Sequence, residues 1–489
     1  DEAGTFRFTG LSAGAYYLKI TYVGAADLWV SDLELGASED IDLGVLTFAS
    51  TAVDLAEATV TARRAIVEIK PDRTVFNVEG TINSVGSDAL SLLRKAPGVT
   101  VDNNDNINVL GRAGVLLYVD GKRMPLSGQE LRDYLANLPA EQIDRFDIIT
   151  NPGAKYEAEG NAGIIDIRLK KADNLGANGS VSTTYSQGQY PRANVNASGN
   201  YRNKALNVFG TGGYAYGDNF FALEFLNYQN GLVLDETAKN RNQWRNANYR
   251  LGADYFLADH HTVGLLISGA SLDGDRNGIN RIAIADQNSP DQIDSILIAH
   301  NTADHLRRQQ TYNLNYRFDN GAGRTLNLDL DYGRYRNESE RLQPNRYYDA
   351  NEEILLTERI NAFDTPSDID IYTFKVDYEE ELWGGRLGMG TKLSRIVSDN
   401  TFLFYDVQDD APVLNEHQSN RFEYDENVYA GYVSYSRPLG EKWNLTAGLR
   451  AEQTDARGDL QAFLPELQEP PVELNYLSWF PNAGLTWQL

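Results

Sequence analysis

The stretch "TYNLNYRFDNGAGRTLNLDLDY", residues 311–332, alternates with a period of two on both sides of a glycine-bearing turn. Tyr312, Leu314, Tyr316 and Phe318 share one face of an extended chain, while Asn313, Asn315 and Arg317 share the other. Past the turn, Leu326, Leu328, Leu330 and Tyr332 alternate with Asn327, Asp329 and Asp331. Such a pattern is that of an antiparallel hairpin whose two faces meet different surroundings.

Similar hairpins recur around Ala258-Asp259-His260, Trp383-Gly384-Gly385 and Leu439-Gly440-Glu441, the last leading into an apolar face of Trp443, Leu445, Ala447 and Leu449. About twelve strands are readable between residue 174 and the end. Their connections alternate in length. Short turns lie near 203, 259, 321, 384 and 440, and long polar or acidic loops are expected over 217–240, 274–304, 341–365, 400–421 and 456–473. A soluble β-sandwich also alternates but has no reason to sort its loops this way, whereas an outer-membrane barrel has short turns at one end and long loops at the other.

Composition agrees. The chain has 28 Tyr and 42 Gly, which suits aromatic-lined β-architecture with bends, and no run approaches the roughly 18 apolar residues of a membrane-spanning helix. A net charge of −25 argues against a nucleic-acid partner, because phosphate backbones are held by clustered Lys and Arg. Cysteine is absent, which removes disulfides and thiolate metal sites, and the five His form no zinc-binding set. Enzymatic motifs are equally weak: residues 114–122 depart from a phosphate loop in spacing, and Arg123 stands where Ser or Thr is required.

Two segments precede the strands. Residues 1–50 read as short strands: Phe6 and Phe8 alternate, Tyr17, Leu18 and Ile20 follow a turn, and "DLGVLTF" closes the segment. So few strands bury little surface, and Asp1 begins inside a β-pattern without a leader, so this segment is expected to start mid-domain in a mature or truncated chain. Residues 65–171 mix elements into a compact α/β domain. Ser87 is the expected cap of a helix bearing Leu90 and Leu93 and ended by Pro97-Gly98, and Ser127 with Glu130 forms a capping box before Leu131, Tyr134 and Leu135.

A mixed domain leading directly into membrane strands is explained if it plugs the lumen of a large barrel, about 22 strands being the size of plugged transporters. About twelve strands fall short of that, and the end "NYLSWFPNAGLTWQL" lacks a terminal aromatic, so the barrel is expected to be incomplete. At this point "LAEATVTARR" (55–64), "DALSLLRKAPGVTVDNNDNINVLGRAGVLLYVDGKRM" (88–124) and "IDRFDIITNPGAKYEAEGNAGIIDIRLKK" (143–171) resemble the coupling segment and plug of a TonB-dependent outer-membrane receptor. The first 50 residues look like the latter half of a carboxypeptidase-regulatory-like β-sandwich, a non-catalytic fold.

The resemblance implies an organisation: a partial regulatory-like domain over 1–50, a linker with the TonB-coupling segment over 51–64, a plug over 65–171 and a transmembrane antiparallel β-barrel over 172–489. Glu57, Ala58, Thr59, Val60, Thr61 and Ala62 match the extended stretch that pairs with TonB by strand addition. The plug motif falls on Gly111, Arg112, Asp120, Gly121, Asn151, Pro152, Tyr156, Gly160 and Gly163, with the last strand over 164–169 and Lys170-Lys171 as the exit. Two departures mark a variant: Leu110 precedes Gly111 where the commoner pattern has Arg, and Glu157 follows Tyr156 where it has Gly.

The implied function is import of an extracellular ligand across a Gram-negative outer membrane, driven through TonB; the rival is a non-transporting barrel acting as scaffold, adhesin or envelope subunit. Partners would be the TonB periplasmic domain, outer-membrane lipids, the ligand, and a surface lipoprotein or other envelope subunit, with no nucleic acid. Ligand candidates are the plug turn Asn103, Asn104, Asp105 and Asn106 and the loop aromatics Phe220, Phe221, Trp244, Tyr347 and Tyr348. No cofactor is expected beyond a calcium candidate at "DGDRNG" (273–278), where Asp273, Asp275 and Asn277 are spaced like the start of a calcium loop although position twelve is Ile284, not Glu.

Overall fold

The structure is a computed structural model, and it describes residues 5–21, 28–37, 39–47, 65–70, 73–78, 87–102, 107–112, 114–124, 131, 135, 138, 140–150, 152–156, 163–170, 175–409, 411–440 and 442–487. The chain divides into two units, Asp1–Arg64 and Ala65–Leu489. In the first, β1 (Gly14–Ile20) pairs antiparallel with β2 (Leu28–Leu35), and Lys19 lies over the Trp29 ring at 4.9 Å. Phe6, Phe8 and the described part of "DLGVLTF" belong to no strand, contrary to the alternation, because no neighbouring ladder takes up their backbone groups.

The second unit opens with β3 (Val67–Ile69), β4 (Arg73–Asn77), α1 (Ala89–Leu93), β5 (Val99–Val101), β6 (Ile107–Val109), β7 (Leu116–Val119), β8 (Lys122–Met124), β9 (Ile143–Ile149) and β10 (Ile164–Leu169). A six-stranded sheet in the order β3-β4-β9-β10-β7-β8 carries the core, in which Leu93, Leu135, Ile143, Phe146, Ile165 and Ile167 are fully enclosed. The helix cap is Asp88, not Ser87: its side chain accepts from Ser91 N at 2.7 Å, filling one of the donors a helix start leaves open. Ser127 and Glu130 lie outside the described residues; Leu131 and Leu135 are buried in this core.

The rest is one large sheet: β11 (Gly176–Gln187), β12 (Pro191–Arg202), β13 (Leu206–Gln229), β14 (Leu232–Ala258), β15 (His261–Asp286), β16 (Ile293–Asp319), β17 (Thr325–Asp349), β18 (Leu355–Asp364), β19 (Ser367–Leu382), β20 (Gly385–Gln408), β21 (Ala411–Leu414), β22 (Asn420–Leu439), β23 (Trp443–Ala462) and β24 (Val472–Trp487). Neighbours pair antiparallel from β11 to β24. β18 and β19 are one strand interrupted at Thr365-Pro366, where proline has no N–H for the ladder; β17 pairs with both parts in a single register.

The expected long loops are instead strands. The ladders run on to Gln229, Asp286, Asp349, Gln408 and Ala462, leaving tips such as Asn230-Gly231, whose φ values of 53° and 80° suit a two-residue hairpin turn. Their polar composition reflects two solvated faces of strands that outrun the membrane, not loss of pairing. β14 and β16 have 27 residues each, more than twice the 9–11 or so that a tilted strand needs to cross a bilayer.

One face of this sheet is a lipid belt. Tyr312, Tyr332 and Tyr372 stack across β16, β17 and β19 at 5.9 and 5.0 Å, and Trp443 stacks on Trp487 at 6.0 Å near the short-turn end. Between these aromatic rows stand exposed apolar residues such as Leu265, Leu314, Leu330, Phe374, Leu393 and Val433, most of them in direct cross-strand register. An apolar band bounded by aromatic girdles is the lipid-facing surface of an outer-membrane barrel.

Candidate functional site

The opposite, inward face is identified by what touches it. Ser182 on β11 donates to Glu141 Oε2 at 3.0 Å, Arg250 on β14 donates to Asp120 Oδ2 at 2.8 Å, and Arg450 on β23 donates to the Ala154 carbonyl at 3.4 Å. All three wall residues alternate with the lipid belt and all three partners belong to the small mixed domain. The domain is therefore seated against the polar side of the sheet.

The seat is built around two turns. Asp120 and Gly121 have φ of 51° and 79°, the left-handed pair that a tight β7–β8 hairpin turn requires. Asp120 then uses both carboxylate oxygens: Oδ1 accepts from Leu169 N at 3.1 Å, and Oδ2 accepts from Arg250. Gly121 N donates to Asp166 Oδ1 at 3.0 Å. Asp166 is wholly buried, and burial pushes its pKa up although the Arg168 guanidinium lies 2.6 Å away and opposes the shift. Its neighbour Asp147 is met by Arg145 at 2.9 Å, Arg73 at 3.4 Å and Arg168 at 3.5 Å, so this buried carboxylate is well compensated.

The second turn covers 152–156. Tyr156 N bonds to Gly153 O, the Tyr156 ring packs edge-on against Tyr118 at 5.8 Å, and Ala154 is buried against Gly448 of the wall, where an added Cβ would approach within 3.0 Å. Beside them Lys155 faces Glu379 and Asp377 of β19; desolvation dominates and lowers its pKa, although the residue keeps contact with solvent. Gly163 has φ of 112°, and a Cβ there would stand 3.0 Å from the Ile149 carbonyl oxygen. Leu110 and Gly111 form another left-handed turn, with φ of 49° and 75°, closed by reciprocal bonds between Val109 and Arg112; Arg112 itself is exposed.

Other predicted residues fall in different places. Residues 57–62 and 103–106, with Asn151 and Gly160, lie outside the described residues. Strand alternation separates the loop aromatics: Phe221, Trp244 and Tyr347 are on the inward face, Phe220 and Tyr348 on the outward face, where Phe220 packs against Tyr190 at 6.3 Å. The calcium reading is corrected. Residues 273–278 lie inside β15, and an extended strand sets alternate side chains roughly 7 Å apart, too far for three of them to converge on one ion. Asp273 pairs with Arg245 at 3.4 Å, and Asn277 lies 2.9 Å from His300 Nε2. Among the described residues no acidic or His cluster is arranged to hold a metal.

Sequence reasoning missed an aromatic patch on the inward face above the domain: Phe363, Phe402, Phe404, Phe422 and Tyr424, with centroids of 6.0 Å for Phe363–Phe402, 5.0 Å for Phe363–Phe404 and 6.4 Å for Phe422–Tyr424. Its signal was the period of two continuing through 400–424, a stretch expected mostly as loop.

Two family models match. Residues 71–164 fit the TonB-dependent Receptor Plug Domain and residues 316–489 fit the Outer membrane protein beta-barrel family, together more than half of the chain. The chain belongs to the TonB-dependent outer-membrane receptors. The mixed domain is the receptor's plug, and the sheet is its barrel wall. No curated protein matches. Among solved structures, a mutant ferric enterobactin receptor from Pseudomonas aeruginosa is similar at 11% identity over 86% of this chain and 92% of that one, with a TM-score of 0.37. The ferric citrate transporter FecA is similar at 12% identity over 86% and 79%, TM-score 0.37. The ferric preacinetobactin receptor from Acinetobacter baumannii is similar at 8% identity over 84% and 78%, TM-score 0.36.

Proposed function

We propose that this receptor binds an extracellular ligand above the plug and delivers it to the periplasm with energy transmitted by TonB. The long hairpins are the extracellular end and the short turns the periplasmic end. The observation that carries the reading is the plug's seating on three separated strands, through Glu141, Asp120 and Ala154. A ligand can pass only if that seating is broken, and each charge-assisted contact resists with roughly 1.5–3 kcal/mol. An outer membrane has no ATP, so the work must arrive mechanically from the inner membrane.

The handle is assigned to Glu57, Ala58, Thr59, Val60, Thr61 and Ala62, within a 51–64 linker that joins a periplasmic regulatory-like segment, 1–50, to the plug, 65–171, and the wall, 172–489. Thr59, Val60 and Thr61 have the β-propensity that strand addition uses. The protein performs no chemistry of its own in this reading. Binding of the purified TonB periplasmic domain is the test, comparing wild type with Val60→Pro, because proline removes a backbone donor. Binding by the wild type alone supports import; no binding by a folded wild type would reject it in favour of a static scaffold.

A further inference from the structure

β13 is paired on both sides only over its lower half. It meets β14 along its whole length, from Leu206↔Tyr255 to Gln229↔Leu232 without a shift of register, but β12 accompanies it only from Asn207 to Gly217. β12 starts at Pro191, and the hairpin tip before it is pinned there. Tyr190 packs against Phe220 at 6.3 Å, the Arg241 guanidinium lies over the Tyr190 ring at 4.4 Å, and Arg192 Nε donates to the Asp218 carbonyl at 3.2 Å.

Above Asp218 one side of β13 has no ladder partner among the described residues. Asn203 N donates to Leu206 O, which turns the N–H and C=O groups of the even-numbered residues toward β12. Beyond the end of β12 those groups belong to Phe220, Ala222, Glu224, Leu226 and Tyr228. The strand starts at the short-turn end with Leu206, so the roughly 9–11 residues that cross a bilayer are used up before this free edge begins, and the edge stands outside the membrane.

Exposed strand edges are ordinarily blunted by Lys, Pro or a bulge, or covered by another element. The chain covers the upper ends of β17 and β20 in this way, with β18 and β21. Residues 219–229 have none of these devices and a single charge, Glu224. Both faces are apolar: Phe221, Leu223 and Phe225 turn inward, Phe220, Leu226 and Tyr228 turn outward, and each is 44–63% exposed.

A row of alternating donors and acceptors is matched only by another extended backbone, and apolar side chains on both faces are covered by a strand that is apolar on both. A second receptor does not supply that strand. Copies in one membrane are related about the membrane normal, so their β13 strands rise in the same sense and tilt, by roughly 35–45°, to opposite sides; they cross instead of pairing.

We propose that residues 219–229 are a docking strand for the ligand, and that the ligand is an extended peptide, added as a strand at the free edge of β13 with alternate side chains against Phe221, Leu223 and Phe225. This rests on the import reading and names its substrate class. Those three side chains stand on the inward face, so a peptide held there has one row of its own side chains on the path toward the plug.

The test is equilibrium binding to the whole receptor in an uncharged detergent, with empty micelles as blank. The probe is a fluorescent peptide of about ten residues of Val, Thr and Tyr, N-methylated at alternate residues so that it is a strand with one pairing edge. Its control has the same residues and the same number of methyl groups on consecutive residues, which interrupts both edges. The probe is expected to bind about tenfold or more tightly than the control. Glu224→Pro removes a donor from the free edge while leaving the β14 ladder intact, and should weaken the probe about tenfold; Glu224→Thr, which removes the charge but keeps the N–H, should not. Both variants are checked for the electrophoretic mobility of the folded barrel. Equal binding of the two peptides, no binding of either, or equal effects of the two variants overturns the assignment. So does a receptor that sediments as a dimer and becomes a monomer in Glu224→Pro, because a second copy then fills the edge. If the same wild-type preparation binds the TonB domain, the import reading survives that failure; if it does not, both fall.

Discussion

Arg250 and Asp120 form a contact between wall and plug whose strength can be measured alone. Their side chains are 20% and 14% exposed and the N–O distance is 2.8 Å, so the pair is partly desolvated and only weakly screened by salt. Replacing one partner by a neutral residue removes a charge-assisted hydrogen bond of about 1.5–3 kcal/mol. Asp120→Asn retains an oxygen for Leu169 N, and Arg250→Met also removes the guanidinium from over the Phe209 ring at 5.6 Å, a loss that cancels in a double-mutant cycle, so the cycle isolates the pair. The assay is urea unfolding of the plug inside the folded wall, followed by the near-ultraviolet signal of the Tyr118–Tyr156 pair while electrophoretic mobility reports the barrel. A coupling of about 1.5–3 kcal/mol is expected, along with faster hydrogen exchange at Leu169 N in Arg250→Met. Additivity of the single variants within about 0.5 kcal/mol would refute the claim that this contact holds the plug.

Other perturbations follow from the same geometry. Burial raises the pKa of Asp166, so the folded plug binds a proton more readily than the unfolded chain; its contribution to stability is greatest below the ordinary value of 3.8 and is lost as pH rises through the raised value. Asp166→Asn should flatten that part of the pH–stability profile while keeping an acceptor for Gly121 N, and an unchanged slope would contradict it. Gly163→Ala should cost the plug about 1–3 kcal/mol in urea unfolding, since φ is positive and the Ile149 carbonyl blocks the Cβ; an effect under about 0.5 kcal/mol would show that the bend relaxes freely. Leu314→Arg, on the lipid face, should destabilise the wall by about 2–4 kcal/mol when folding into liposomes is titrated with urea, and a neutral result would place Leu314 outside the bilayer.

The period of two in 311–332 made the wall legible, because each side chain answers only to the face on which it falls. The long hairpins were misread for a related reason: once strands leave the membrane, water meets them and polar residues fill faces that still carry a full ladder. The aromatic patch was hidden inside that misreading, and the calcium spacing of Asp273, Asp275 and Asn277 misled because D-x-D-x-N means convergence only when the backbone curls. Asp120-Gly121 could be singled out as a turn by its chemistry, yet its hold on Arg250 could not, since 130 positions separate the partners and no local rule links them.

The two chemistries of the inward face follow from what each must tolerate. At plug height the wall is pressed against another protein surface and loses water, so every amide and carboxylate there needs a neighbour; Asn315 donates to Asn313, and Asn313 donates in turn to Asp329 and Asp331, which meets that need within the wall itself. Because these groups satisfy one another, the plug need be held there only at a few points such as Asp120; elsewhere on the same face Asn246 Nδ2 and Arg450 Nη2 are buried without a hydrogen-bond partner among the described residues. Above the plug the rings cover one another instead: Phe404 is buried against Phe363 at 5.0 Å, and Phe363, Phe402 and Tyr424 are half-buried. Polar pairing therefore holds the lower inward face and ring-on-ring packing the upper one, so the two can be perturbed separately.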